Sequence, residues 1–596
     1  MTKTETRNPP LTRLRAELKR RGLDGFVVPR SDEHQGEYVP PSAQRLAWLT
    51  GFTGSAGAAV ALTDKAAFFT DGRYTLQAAA EVDGKAFAQL HITESPPTEW
   101  IAGHLPAGAK LGYDPWLHTP DGVAHLRTAC EKAGGTLVAC ADNPLDAVWS
   151  DRPAVPTQPI EPYALELAGK SAKDKRLDVS ATLRSDKIDA VILSAPDSIA
   201  WLLNVRGDDV PFTPLPLSFA ILHSDGAVEW FVDERKRTPG LAAHLGNDVA
   251  IAAPTAFGPA LDALKGKRVR LDYGTAPAWV LDRLTAAGAH VSRGADPCQL
   301  PKACKNTAEL DGTRNAHRRD GVALAGFLAW LAKTAPAGGL TEIAAADKLE
   351  AFRAKGDLYR GPSFPTIAGA GPNGAIVHYR ATPESERAIE VGQLFLLDSG
   401  GQYLDGTTDV TRTIAIGTVG AEERRRFTLV LKGHIALAAA RFPMGTTGSQ
   451  LDALARHALW SEGLDYDHGT GHGVGSYLGV HEGPQRISKV GNTQALLPGM
   501  IVSDEPGYYK TGAYGIRIEN LVAVKKDSAL KTAEKPMLDF ETLTLAPIDL
   551  ALVDRDLLTE SERVWLNAYH ARVKSEIGSL VDADTARWLA DATRAI

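Results

Sequence analysis

Four carboxylates and one imidazole in the second half of the chain have types and spacing that could do chemistry together. They are Asp398 in FLLDSG, Asp409 in TTDVTRT, His472 in GTGHGVG, Glu505 in SDEPGYY and Glu519 in RIEN. Four negative charges balance two divalent cations. Oxygen donors with a single nitrogen suit manganese, cobalt or zinc and suit copper poorly. Two such cations about 3.5–4 Å apart can hold a hydroxide between them for attack on a polarised carbonyl. The expected reaction is therefore hydrolysis. A nearby imidazole, His378 or His481, would donate to the developing oxyanion. Glu505 would carry the proton from water to the leaving nitrogen.

The strands that hold these residues can be read from the pattern. Asp398 ends the apolar run Leu394 to Leu397, and Asp409 lies in the alternating run Thr408 to Ile416. The turn-rich GGQYLDG between them makes the two runs a hairpin. In suitable register both aspartates then meet on one face, with Thr411 and Thr413 on the face of Asp409. Asp405, inside the connector, reads as a turn residue. MIVSDEPGYY and GIRIENLVAV read as a second strand pair carrying Glu505 and Glu519. A glutamate between Ile518 and Leu521 in a strand is costly unless paired or metal-bound. Arg517 points the same way as Glu519, so it is expected to pair with it and to support the site from behind.

His468, His472 and His481 are three of the chain's 16 histidines, and they share one segment. Gly469, Gly471 and Gly473 make a helix there improbable and let backbone approach a ligand closely. One imidazole is assigned to the metals and the others to proton handling or substrate binding. His378, in AIVHYR, is the fourth candidate, although its neighbours also suit a plain surface loop.

The elements that position this set begin far upstream. The chain has 596 residues, 44% hydrophobic and 23% charged, which is ordinary for a multidomain globular protein. A net charge of −7 argues against a nucleic-acid partner. The cysteines, Cys130, Cys140, Cys298 and Cys304, lack the short pairing of structural zinc sites. No run approaches the ~20 apolar residues of a membrane span. The polar opening residues do not read as a leader, and the expected location is cytoplasmic.

The first half repeats itself. LDGFVVPRSDEH from Leu23 matches IDAVILSAPDSI from Ile188; AWLTGFTGS from Ala47 matches AWLLNVRGD from Ala200. AAVALTDKAAFFTDGRY from Ala58 matches SFAILHSDGAVEWFVDERK from Ser218, each as two strands joined by a tight turn. Three matched blocks in one order indicate duplication. Proline-rich Pro153 to Tyr163 separates the copies. A long helix over 306–333 opens the next domain, and further helices are expected over 421–441, 449–463, 561–580 and 584–593. Trp565, Leu566, Tyr569 and Val573 form an apolar stripe that packs on the domain or on a partner subunit.

With Asp, Asp, His, Glu and Glu in that order, and with HGTGHGVG, VHEGP, DEPGYY and RIEN around them, the chain resembles the pita-bread (creatinase–prolidase) metallopeptidase family. The fuller motif set and the duplicated front half are similar to its three-domain aminopeptidase P branch. The resemblance implies an α/β fold with two creatinase-type N-terminal domains, 1–155 and 160–302. A pita-bread catalytic domain follows at 303–535, and a C-terminal helical extension at 536–596. It implies removal of an N-terminal residue from peptides whose second residue is proline. It gives the metals to Asp398, Asp409, His472, Glu505 and Glu519, with Asp409 and Glu519 bridging. It gives substrate and oxyanion roles to His378, His468 and His481, and support to Arg517. It also implies two manganese ions, with zinc or cobalt as alternatives, and a homodimer. Proline preference comes from the resemblance alone.

Prolidase activity on Xaa-Pro dipeptides uses the same five ligands, but the extra N-terminal domain counts against it. A decayed, non-catalytic peptide-binding relative would have lost ligands, and this chain retains all five. Asp208 and Asp209 suggest a preference for a basic first residue if they face the site.

Overall fold

The run Gly25–Pro29 (GFVVP) is apolar nearly throughout, as a strand covered on both faces requires. The helix before it, Pro10–Arg21, turns Leu11, Leu14 and Leu18 inward and ends at Gly22, whose φ of 67° gives the left-handed cap. A computed structural model describes residues 9–596; the first eight residues of the polar opening segment, on which the leader expectation partly rests, lie outside them. Contacts divide the chain into two units. One comprises Met1–Tyr163 and Lys170–Cys298, the other Ala164–Gly169 and Gln299–Ile596.

The first unit holds two six-stranded sheets. In order, one contains Ala88–His91, Ala66–Thr70, Ala58–Leu62, Gly25–Pro29, Lys110–Tyr113 and Thr136–Ala139. The other contains Val249–Ala252, Val228–Phe231, Phe219–His223, Ala190–Leu193, Arg268–Leu271 and His290–Arg293. Order and strand directions agree throughout: from the central strand, Gly25–Pro29 or Ala190–Leu193, one side runs antiparallel, antiparallel, then parallel, and the other side is parallel throughout. The duplication read from three sequence blocks is thus a duplication of topology. Asp209 is buried and its carboxylate accepts from Lys236 Nζ at 2.5 Å and Leu217 N–H at 2.7 Å.

The second unit carries the carboxylates. Helix Thr307–Thr334 starts at a capping box between Asn306 and Glu309. A three-stranded sheet contains Ile367–Ala370, Leu394–Ser399 and Val410–Ala415. A six-stranded sheet runs Phe442–Pro443, Met537–Thr542, Asn520–Lys526, Ile501–Asp504, Gly471–Gly473 and Glu482–Ile487. The segment after Pro536 therefore opens with a strand of this sheet before reaching helices Glu560–Ile577 and Ala583–Ala592. Leu566, Tyr569 and Val573 are buried in the unit's own core, so the stripe packs within the chain.

Arg412 joins these parts. It is buried, and its guanidinium donates to the carbonyls of Thr411 (2.8 Å), Glu519 (2.6 Å), Ala546 (2.8 Å) and Pro547 (3.0 Å). It also donates to Asn520 Oδ1 (2.8 Å) and the Tyr569 hydroxyl (2.9 Å). The strand after Asp409, the chain beside Glu519 and the C-terminal helix thus share one buried cation. Its cost of burial is met by a full set of acceptors. Tyr569→Phe removes one of these acceptors and leaves the Ala546 carbonyl, 2.8 Å from the hydroxyl, without that donor. We expect a loss of about 1–3 kcal/mol, read as a lower melting temperature by calorimetry; an unchanged melt would contradict it.

Candidate metal centre

The hairpin register sets the first pair of carboxylates. Asp398 lies opposite Thr411, and Ser399 opposite Val410. Asp409 is then two residues from the partner of Asp398, on the same face, as the sequence suggested. The second pair departs from expectation. The run expected to be one strand breaks at Ile518–Glu519: Tyr514–Arg517 pairs with Gly507–Lys510, and Asn520–Lys526 with Ile501–Asp504. Glu505 sits in the matching break on the other strand. Both glutamates stand where the chain changes sheets, which frees their side chains from the pleat.

His472 is the middle residue of Gly471–Gly473. A Cβ on Gly471 would lie 2.0 Å from the Ser503 carbonyl, and one on Gly473 2.2 Å from that of Glu482. The flanking glycines are therefore required by close neighbouring strands. The His472 N–H donates to Ser503 Oγ at 2.9 Å, and that hydroxyl donates to Glu505 Oε1 at 3.1 Å. His472 Nδ1 donates to the Gly473 carbonyl at 3.0 Å, which leaves Nε2 as the ligating nitrogen. Nε2 lies 3.5 Å from both Asp409 Oδ2 and Glu505 Oε1. Donor atoms of Asp409, His472 and Glu519 lie within 4.8 Å of one another. Asp398, Asp409 and Glu519 are buried, while the His472 and Glu505 side chains stay 21% and 17% exposed. The cluster is open on that side.

Arg517 does not pair with Glu519. Its Nη2 donates to Asp398 Oδ2 at 2.5 Å, its Nη1 to the Tyr509 hydroxyl at 2.6 Å and its Nε to Thr411 Oγ1 at 3.2 Å. Glu519 Oε2 instead accepts from Thr411 Oγ1 at 2.7 Å. The register that brings Thr411 opposite Asp398 puts the arginine within reach of that aspartate. Tyr509 continues the chain to His468 Nε2 at 2.9 Å. His468, Tyr509, Arg517 and Asp398 thus form one hydrogen-bonded row. Sequence reasoning missed Tyr509, although it lies inside a motif it had marked, and set Thr411 on the face of Asp409 without giving it a partner.

His481 meets His472 edge-on, with ring centroids 4.3 Å apart. The residue after it, Glu482, is buried and bonded to Lys302 Nζ at 2.8 Å and to Lys305 Nζ. Behind the cluster, Asn520 Nδ2 donates to His434 Nε2 at 3.0 Å, and His434 Nδ1 donates to the Asp504 carbonyl at 3.1 Å. That bridge ties together the neighbours of Glu519 and Glu505. His378 follows the 3-10 turn Gly371–Ala375, which packs on Gly515 and Leu396.

The electrostatics are those of a cation site. Burial, then repulsion from Asp409, Glu505 and Asp398, pushes the Glu519 carboxyl well above the usual range. Burial raises Glu505 to about 7, with His472 and Arg517 opposing. Burial also raises Asp398, against the pull of Arg517. Burial disfavours a charged His472, but Asp409 and Glu505 outweigh it and lift the imidazole to about 9. Asp398 Oδ1 and Asp409 Oδ1 are buried without a hydrogen-bond partner. Crowded carboxylates with idle oxygens and one oriented imidazole fit divalent cations.

Comparison with known proteins agrees with this geometry. Residues 311–526 match the model of metallopeptidase family M24, and 536–596 its C-terminal region. Residues 10–147 and 151–309 match creatinase/prolidase N-terminal domains. A probable Xaa-Pro aminopeptidase P of Aspergillus niger is 42% identical, covering 98% of both chains. The crystal structure of X-prolyl aminopeptidase from Caenorhabditis elegans, a cytosolic enzyme with a di-nuclear active site, superposes with a TM-score of 0.94. It is 35% identical and covers 98% of this chain and 99% of its own. A Xaa-Pro dipeptidase from Bacillus anthracis is 23% identical with a TM-score of 0.52 over 64% of this chain, a likeness of fold alone. With its ordered carboxylates, oriented imidazole and full-length relatives, the chain belongs to metallopeptidase family M24.

Proposed function

We propose that this protein is a metal-dependent aminopeptidase that removes the N-terminal residue from peptides with proline at the second position. The observation that carries the reading is the convergence of Asp409, His472 and Glu519 within a fold that matches an X-prolyl aminopeptidase over 98% of the chain. Asp398, Asp409, His472, Glu505 and Glu519 hold two divalent ions. Bound there, the ions supply a Lewis acid and an activated water.

The chain's own groups do the rest. Glu505 accepts the proton of the attacking water and returns it to the leaving proline nitrogen. His481 and His378 donate to the carbonyl oxygen as charge develops on it. His468 contacts the substrate, and Tyr509 and Arg517 couple its position to Asp398. Arg517 orients Asp398 and opposes the effect of its burial. We further read the metal as manganese and the assembly as a cytosolic homodimer, on the family resemblance and on the cytosolic relative. The division into 1–155, 160–302, 303–535 and 536–596 is supported by the matched spans.

Manganese-loaded protein should cleave an Arg-Pro-Pro tripeptide before the proline and leave Arg-Ala-Pro and the Arg-Pro dipeptide largely intact. Preference for the dipeptide, measured by release of free arginine, would make it a prolidase instead. Metal binding should also depend on pH. A carboxyl at about 7 and an imidazole at about 9 carry protons in the metal-free protein. Those protons must leave before the groups ligate, so affinity weakens as pH falls from 8 to 6, roughly tenfold per unit for each proton displaced. Calorimetric manganese titrations in buffers of different ionisation enthalpy should report net proton release. A pH-independent affinity would count against this ligand set.

A further inference from the structure

His378 lies outside regular structure, three residues past the turn Gly371–Ala375. An imidazole so placed needs an anchor to meet a reacting atom in a fixed geometry. Glu342, the first residue of helix Glu342–Arg353, is fully buried and supplies that anchor. Its Oε1 accepts from the Ala370 N–H at 2.7 Å and from Asn373 Nδ2 at 3.0 Å. Its Oε2 accepts from the Tyr379 hydroxyl at 2.8 Å and the Arg387 N–H at 2.9 Å. One carboxylate grips the segment 370–387 at its start, its middle and its end. None of these four donors is a cation, so hydrogen bonds from the segment itself hold the buried carboxylate, and it is costly to leave any of them unmade.

The same segment is seated against the metal centre. Ile376 and Tyr379 pack with Ile367 and Leu396. Ile367 is the strand partner of Asp398, and Leu396 shares the face of Asp398 two residues earlier. His378 lies between the two packing residues, and Tyr379, the bonded neighbour of His378, is the one that reaches Glu342.

We propose that Glu342, acting through Tyr379, is a positioning residue that fixes the His378 imidazole for the substrate's reacting carbonyl. The inference rests on the role given to His378 above.

The test is a double-mutant cycle on the full-length, manganese-loaded protein with Arg-Pro-Pro as substrate. His378→Ala should lower kcat by about 100-fold, as for a lost or misplaced catalytic group. Tyr379→Phe keeps the ring packing and loses only the hydroxyl. It should lower kcat about 10-fold with bound manganese and KM unchanged, and Glu342→Gln should be more severe. In the His378→Ala background, Tyr379→Phe should cost less than about 2-fold more. Full additivity of the two losses would overturn the proposal, as would a silent Tyr379→Phe beside a slow His378→Ala. A silent His378→Ala would instead remove the reading of His378 and the inference with it. If Glu342→Gln fails to fold, the Tyr379→Phe arm still decides.

Discussion

Mutual repulsion among four carboxylates is the constraint on which the second unit is built. At about 4 Å, and with the screening typical of proteins, each like-charged pair costs on the order of 4 kcal/mol. The folded chain tolerates this because every member is tied to a different element. Asp398 and Asp409 come from a hairpin, Glu505 and Glu519 from the points where two strands change sheets, and His472 from a glycine-flanked strand. Arg517 removes part of the charge at Asp398, and the rest is left as excess proton affinity. That stored affinity is what a divalent cation would displace, so the strain of the metal-free centre and its appetite for metal have one origin.

A second layer holds the first. Arg412 gathers carbonyls from the strand after Asp409, from beside Glu519 and from the C-terminal region. The His434 bridge links the neighbours of Glu505 and Glu519. The two lysines on Glu482 fix the residue after His481. Each is a buried polar group with its partners complete, which is the condition under which such groups rigidify a core.

What the sequence made legible was local. Alternation around Asp409 and the turn-rich connector set the hairpin and its face, and three glycines around His472 excluded a helix. The repeated blocks of the first unit announced a repeated sheet. What it hid depended on register between distant strands. Arg517 lies two residues from Glu519, so periodicity named the wrong carboxylate; only the pairing of Asp398 with Thr411 brings that arginine to its true partner. The break at Ile518–Glu519 carried no glycine or proline to mark it. Glu342 drew no reading at all, since nothing nearby in sequence points to Asn373, Tyr379 or Arg387.

The reach of Arg412 to Tyr569 also bears on how the molecule is made. Synthesis runs from the N-terminus, and domains fold as units as they emerge. The duplicated sheets lie wholly before Cys298, so their strands are made early. The strands that follow Asp409 and Glu519 gain their full support only when residues 537–577 arrive to supply a sheet neighbour and the helix bearing Tyr569. Until then the ribosome carries a finished first unit and an unfinished hydrolytic centre. The metal centre is thereby left without its full backing until residues 537–577 have been made.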